Sequence, residues 1–206
     1  MSNGIAYESD RGCIIVAAAM MDKLLEDVIL DHIKEFSVSK SVTKSLFDLS
    51  GPISNFSAKI SICRAFGLID EIAYRDLMIL RKLRNTFAHE TDKASFSSET
   101  VRQKTRSMHF VQHCMQEIEI ARYSQNAEGE QAQAQAQEPN KMLEEWKLLS
   151  AGFLNYEKVM FCFAIDELEY HINFYSKVRR PPPATVAQLL KMSKQEKANQ
   201  QAHTAK

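Results

Sequence analysis

Glycine and proline are scarce, six and five in 206 residues. So few glycines leave little room for a loop that cradles phosphate. Neither GxxxxGKS/T, GxSxG nor a dinucleotide fingerprint occurs. The four cysteines, Cys13, Cys63, Cys114 and Cys162, are far apart, so no CxxC redox or zinc pattern exists. Each lies in an apolar helical pattern and is expected to be a buried, reduced thiol of a cytoplasmic protein. Charge of either sign is not in excess: 26 basic residues meet 26 acidic ones. A nucleic-acid partner would therefore have to be met by a local patch. Long apolar runs are missing too. The longest, CIIVAAAMM at 13–21, is too short to span a bilayer. The N-terminal MSNGIAYESDRG carries acids where a signal peptide carries bases. No membrane partner is expected, and the location read from these features is the cytoplasm.

What is present is helical periodicity. Apolar residues recur at three and four, and no strand-like alternation with apolar bulk competes. An all-α fold is expected, a single bundle of about five to seven helices over residues 1–178. The first helix is predicted to start after Asp10 as N-cap and to run to about Phe36. Its stripe is Ile14, Ala18, Met21, Leu25, Val28, His32 and Phe36. Ser50-Gly51-Pro52 reads as a second start, Gly67 as a left-handed C-terminal cap, and Asp70 as the cap of the next helix. That helix carries Ala73, Leu77, Leu80, Arg84 and Phe87. A further helix is predicted from about Glu99 to Tyr123, and another block from about Asn140 to Val178 with Phe153, Tyr156, Met160, Phe163 and Leu168 as core. Between them, residues 126–139 (NAEGEQAQAQAQEP) form a low-complexity polar linker or a helical extension. Pro181-Pro182-Pro183 leads into a basic tail, 179–206, expected to be disordered.

The sequence LRKLRNTFAHE at 80–90 holds the most pointed chemistry. Arg81, Asn85 and His89 follow one another at intervals of four along a helix face. Arg84 falls beside Asn85, within the predicted apolar stripe. A guanidinium cannot shed its charge, so there it needs an acceptor. Two roles satisfy that need. In a structural cluster, Arg84 pairs with a buried acid and His89 caps the helix end. In a ribonuclease, His89 moves the proton of a 2′-hydroxyl or leaving group while Arg84 stabilises charge on the phosphate. One such pair per chain is a thin apparatus, so a homodimer would supply the second copy.

Other constellations are weaker. His109, His113 and Glu117 share a helix face at metal-ligand spacing, but no fourth ligand is evident, and a polar face is the expected role. No metal and no cofactor are predicted. Arg11 is a surface residue or reaches an acid near the 84–89 cluster. From residue 177 onward Lys177, Arg179, Arg180, Lys191, Lys194, Lys197 and Lys206 oppose only Glu196, a patch able to touch nucleic acid through its phosphates. Within that tail, Val186, Leu189 and Leu190 make a short apolar patch able to dock on a partner.

Three segments in order, ESDRGCIIVAAAMMDKLLEDVI, LFDLSGPISNFSAKISICRAFGLID and RDLMILRKLRNTFAHE, resemble the mannitol operon repressor family. The resemblance covers about Glu8 to Glu90, with a fainter echo at Tyr156 to Leu168. It implies an all-helical bacterial transcriptional regulator of a carbohydrate-uptake operon. It also implies action through a protein partner, a transcription factor or transport component. In keeping with this, no helix–turn–helix, finger, basic zipper or RNA-binding sheet is visible. The Arg84-to-His89 spacing also resembles the Arg-x4-His motif of the HEPN helical superfamily. That likeness implies an RNA-cleaving site at Arg84, Asn85 and His89. The tyrosine that some toxin members carry after the histidine is absent.

Overall fold

Ser9, not Asp10, begins the first long helix: its hydroxyl accepts the Gly12 N–H at 3.0 Å. A serine at N-cap satisfies one of the orphan donors of the first turn. In the computed structural model, which describes residues 2–89, 94–127 and 155–178, a 3₁₀ turn at Ser2–Tyr7 precedes α1 (Asp10–Lys34). Then come α2 (Lys40–Phe47), α3 (Phe56–Ala65), α4 (Glu71–His89), α5 (Glu99–Arg106), α6 (His109–Ala127) and α7 (Tyr156–Val178). Among the described residues there is no strand, so the fold is the expected all-α bundle. No described helix is long and apolar enough to cross a membrane. The Gln-Ala linker, Phe153 and the basic tail lie outside the described residues.

α1 buries Cys13, Ile14, Ala17, Ala18, Met21, Leu25, Val28 and Ile29, the three-and-four spacing of one helix face. It packs on α3, α4 and α7. The small Ala17 and Ala18 let neighbouring backbones come close. The predicted stripe fails at its end. His32 is half-buried, and Phe36 lies beyond the helix with 66% of its surface exposed. α7 is buried on nearly every side from Glu157 to Ile165, so it forms the central rod of the bundle. Met160, Phe163 and Leu168 are core as expected. All four cysteines are buried and reduced. Burial, chiefly, pushes the Cys114 thiol up to about 12.

Two predicted punctuation marks hold. Gly67 has φ +66°, and the chain folds back there so that Leu68 N–H reaches Cys63 O at 2.8 Å. Asp70 Oδ1 accepts the Ala73 N–H at 2.9 Å and starts α4. Two others need correction. α3 starts not at Ser50-Gly51-Pro52 but at Asn55, whose side chain caps Ala58 N–H at 2.9 Å. The Gly51-Pro52 stretch is a tight turn, in which a Cβ at Gly51 would lie 2.5 Å from the Leu46 carbonyl oxygen. No period announces α2, because its KSVTKSLF offers few apolar residues.

The predicted helix from Glu99 to Tyr123 is two helices, broken at Ser107 and Met108. The cause sits on another element. Asp76 of α4, 1% exposed, accepts the N–H groups of His109 at 2.8 Å and Phe110 at 3.0 Å. A carboxylate at a helix start satisfies orphan donors and suits the dipole. It allows α6 to begin afresh at His109. Lys59 of α3 is likewise buried, with its ammonium 3.1 Å from Asp22 and 2.8 Å from Glu26 of α1. This bond, ahead of other influences, holds the Glu26 carboxyl below its ordinary range.

Candidate functional site

The end of α4 presents Arg84 and His89 to solvent, with Arg81, Asn85 and Thr86 half-buried. The buried line of this helix is Ala73, Asp76, Leu77, Leu80, Leu83 and Phe87. Arg84 lies about 100° beyond Leu83, past the edge of that line. The expectation that it sits within the apolar stripe is therefore wrong. Position i+4 from Leu80 is compatible with either edge of a stripe, and packing chose Leu83 instead. Among the described residues, Arg84, Asn85 and His89 make no side-chain hydrogen bond or ion pair. A guanidinium in water needs no buried counter-anion. Arg84→Ala is accordingly expected to shift the unfolding free energy by no more than about 0.5 kcal/mol. A thermal melt checks this, and a loss above ~1 kcal/mol would restore the structural lock.

Arg11 shares this edge. Its Nη2 donates to the Ala88 carbonyl at 3.5 Å, a cation at the end of α4 where the dipole is negative. It thus reaches the 84–89 cluster, but through a carbonyl and not an acid. Lys104 of α5 adds another cation, its Nζ donating to Thr86 Oγ1 at 3.0 Å. The rim at the α1–α4–α5 junction thus carries Arg11 and Lys104, each held to the last turns of α4.

Beneath that rim runs a buried polar seam. Asp10 is not the cap of α1; its Oδ2 accepts the Phe96 N–H at 3.0 Å, from 86 residues away. Its other oxygen stands 3.5 Å from Lys158 Nζ, which also donates to the Glu8 carbonyl. Glu157, next in the chain, accepts from Arg106 Nε at 2.9 Å. Asp76, Lys158 and Glu157 escaped sequence reasoning. The available signal was an ion at a position whose helical phase is apolar: Asp76 falls three residues after Ala73 and four before Leu80, and Lys158 three and four before Phe161 and Cys162.

At the far end of α1 lies a second feature, an apolar cavity of about 400 Å³. Ile29, Ile33, Leu46, Ile62 and Leu68 wall it, with Phe36 and Phe66 at its edge, 66% and 65% exposed. His32 contributes a ring edge-on to Phe36, centroids 5.1 Å apart. A sugar alcohol would meet almost no hydrogen-bonding partners there, so the cavity suits an apolar group. On α6, His109 and His113 are exposed beside half-buried Glu117, and no described set of three His, Cys, Asp or Glu is placed to hold a metal.

Comparison with known proteins adds to this geometry. The sequence model of the mannitol repressor family matches residues 6–154, well over half of the chain. No curated protein matches. Among solved structures, the chain is similar to one described as the X-ray structure of the MtlR-HPr complex from Escherichia coli. Identity is 16%, the match covers 83% of this chain and 97% of that one, and the TM-score is 0.57. At that identity the likeness shows a shared fold.

Proposed function

The chain belongs to the mannitol repressor family, and from that premise we propose that it regulates a carbohydrate-uptake operon by binding a protein of the transport system. The observation that carries this reading is the family match over residues 6–154. The similar solved structure is a complex with HPr, which makes HPr the first partner to test. The electrostatics of the helices lend support. A DNA-reading helix needs cations free to reach phosphates and base edges. On α3, Lys59 is buried between two acids and Arg64 is paired with Glu71 at 3.0 Å. On α5, Arg102 pairs with Glu99, and Arg106 with Glu157. These four cations of α3 and α5 are held by the protein's own acids, whereas among the described residues Arg84 of α4 is not. On this reading the protein acts in the cytoplasm.

The test is calorimetric titration of the pure chain with HPr, beside a DNA-shift assay on the operator region. Saturable binding of HPr near micromolar Kd, about −8 kcal/mol, is expected, with no retention of DNA at physiological salt. An absence of heat at tenfold higher concentrations would remove HPr as the partner. Retention of DNA that disappears with the basic tail would assign the contact to residues 177–206.

One observation favours a second reading. Arg84 and His89 are open to water, as a ribonuclease would require. In that reading His89 takes the proton of the 2′-hydroxyl, Arg84 stabilises the charge that builds on the phosphate, and Asn85 orients the scissile group. A homodimer would bring two such pairs to one strand. Cleavage of RNA in chelator by the pure protein, lost in His89→Ala, would establish it. On the leading reading neither protein cleaves.

A further inference from the structure

The apolar cavity at the end of α1 has a problem of exposure. Phe36 and Phe66 stand at its edge in water, and Val42, one turn before Leu46 on α2, is also exposed. Apolar area left in water forgoes about 25 cal/mol per Å², and clustered exposure of this kind marks a surface that something covers.

The course of α7 shows what lies in reach. α1 and α7 run side by side in the same direction. Cys13 and Cys162, 149 residues apart, bring their sulfurs to 3.7 Å. Glu169 lines a surface groove with Met20 and Lys23 of α1, in the same register. That register sets Val178, the last residue of α7, level with Ile29, a wall of the cavity. A cross-link agrees: His171 Nε2 lies 2.8 Å from Asp70 Oδ2, and Asp70 is two residues from Leu68, another wall. The chain therefore leaves α7 at the cavity's end of the bundle, with 28 residues, 179–206, still to come.

The sequence of those residues fits the cavity. After Arg179-Arg180 and three prolines come Val186, Leu189 and Leu190, spaced to share one face of a helical turn. At ~3.1 Å per residue, a proline-rich stretch from Val178 to Val186 spans up to roughly 25 Å.

We propose that Ala184–Met192 of the same chain covers this cavity, seating Val186, Leu189 and Leu190 against Phe36 and Phe66. The cavity is then a docking surface covered in cis by residues of the same chain. This stands apart from the regulatory reading, since it concerns only the chain's own end.

The test uses the full-length protein and its Leu189→Asp/Leu190→Asp variant, with the dye 1-anilinonaphthalene-8-sulfonate as apolar probe. Far-UV circular dichroism and a melt verify that both are folded. The variant is expected to bind dye several-fold better than the parent. A synthetic peptide of residues 184–194 added to the variant should displace that dye, and the same peptide with both aspartates should not. Phe66→Asp in the double variant should abolish the extra dye binding. Equal dye binding by monomeric parent and variant would overturn the proposal and leave the cavity open to a separate partner. Exclusion of dye by both, with sedimentation as dimers, would overturn it in favour of a second copy.

Discussion

Phe96→Ala is expected to cost about 3–5 kcal/mol of folding free energy. Phe96 belongs to no helix; it stands in the segment before α5, yet none of its surface is exposed. Its ring bridges Phe87 of α4, centroids 6.2 Å apart, and Phe161 of α7, 5.4 Å apart. Removing it empties a volume bounded by two helices that cannot collapse together, because the bundle is held elsewhere. The lost transfer energy and the void then add. The backbone at the same residue donates to Asp10, so the ring also fixes where the start of α1 meets this segment. Urea unfolding measures the effect as a fall in midpoint at unchanged slope. Phe96→Leu, which refills part of the space, should cost less than half as much. A Phe96→Ala loss below ~1 kcal/mol, typical of an ordinary substitution, would mean that the ring is not a keystone.

Asp76→Ala is expected to cost about 2–4 kcal/mol, because one buried and one part-buried N–H group would lose a charged acceptor at once. The N–H groups are those of His109 and Phe110, and the loss should fall on the start of α6. Amide hydrogen exchange at those positions would show it, rising before exchange in α1 does. The carboxyl also carries a pH signature. Burial, ahead of the two N–H bonds that oppose it, raises the Asp76 carboxyl above the ordinary aspartate range. Between the ordinary and the raised value the folded chain holds a proton that the unfolded chain has released. Stability from this group is therefore full in acid and declines as pH rises through that window. Asp76→Asn removes the titration. The stability of the parent relative to Asp76→Asn should be greatest below the ordinary aspartate range and level off above the raised one. A flat difference across the acid range would show that Asp76 titrates alike in both states.

Much of the fold can be read along the chain where one helix supplies its own signal. Gly67 and Asp70 announced an end and a start because both act within a few residues. Ile14, Ala18, Met21, Leu25 and Val28 of α1 followed from spacing, whereas His32 and Phe36 at the end of the stripe did not. Errors gathered where the partner is remote. Ser9 displaced Asp10 as cap, since Asp10 is engaged by Phe96 and Lys158, 86 and 148 positions away along the chain. A helix that looked continuous from Glu99 was cut by a carboxylate borrowed from α4. The candidate site shows the same division. Arg84, Asn85 and His89 can be singled out by residue type and spacing, whereas Arg11 reads equally as a surface residue or as a reach towards an acid near them. Burial could not be read, because a position four residues after Leu80 borders the apolar face, and only packing against α1 and α5 decides which edge turns outward.

Helical class, the order of its main segments and kinship with a repressor family were thus written in local periodicity and short motifs, which need no knowledge of neighbours. Which ions are buried, where helices break, and that Arg84 meets water while an apolar cavity opens beside Phe36 were settled by packing. The reason is that burial and the pairing of polar groups are properties of surfaces brought together from distant parts of the chain, and no window of sequence contains both surfaces.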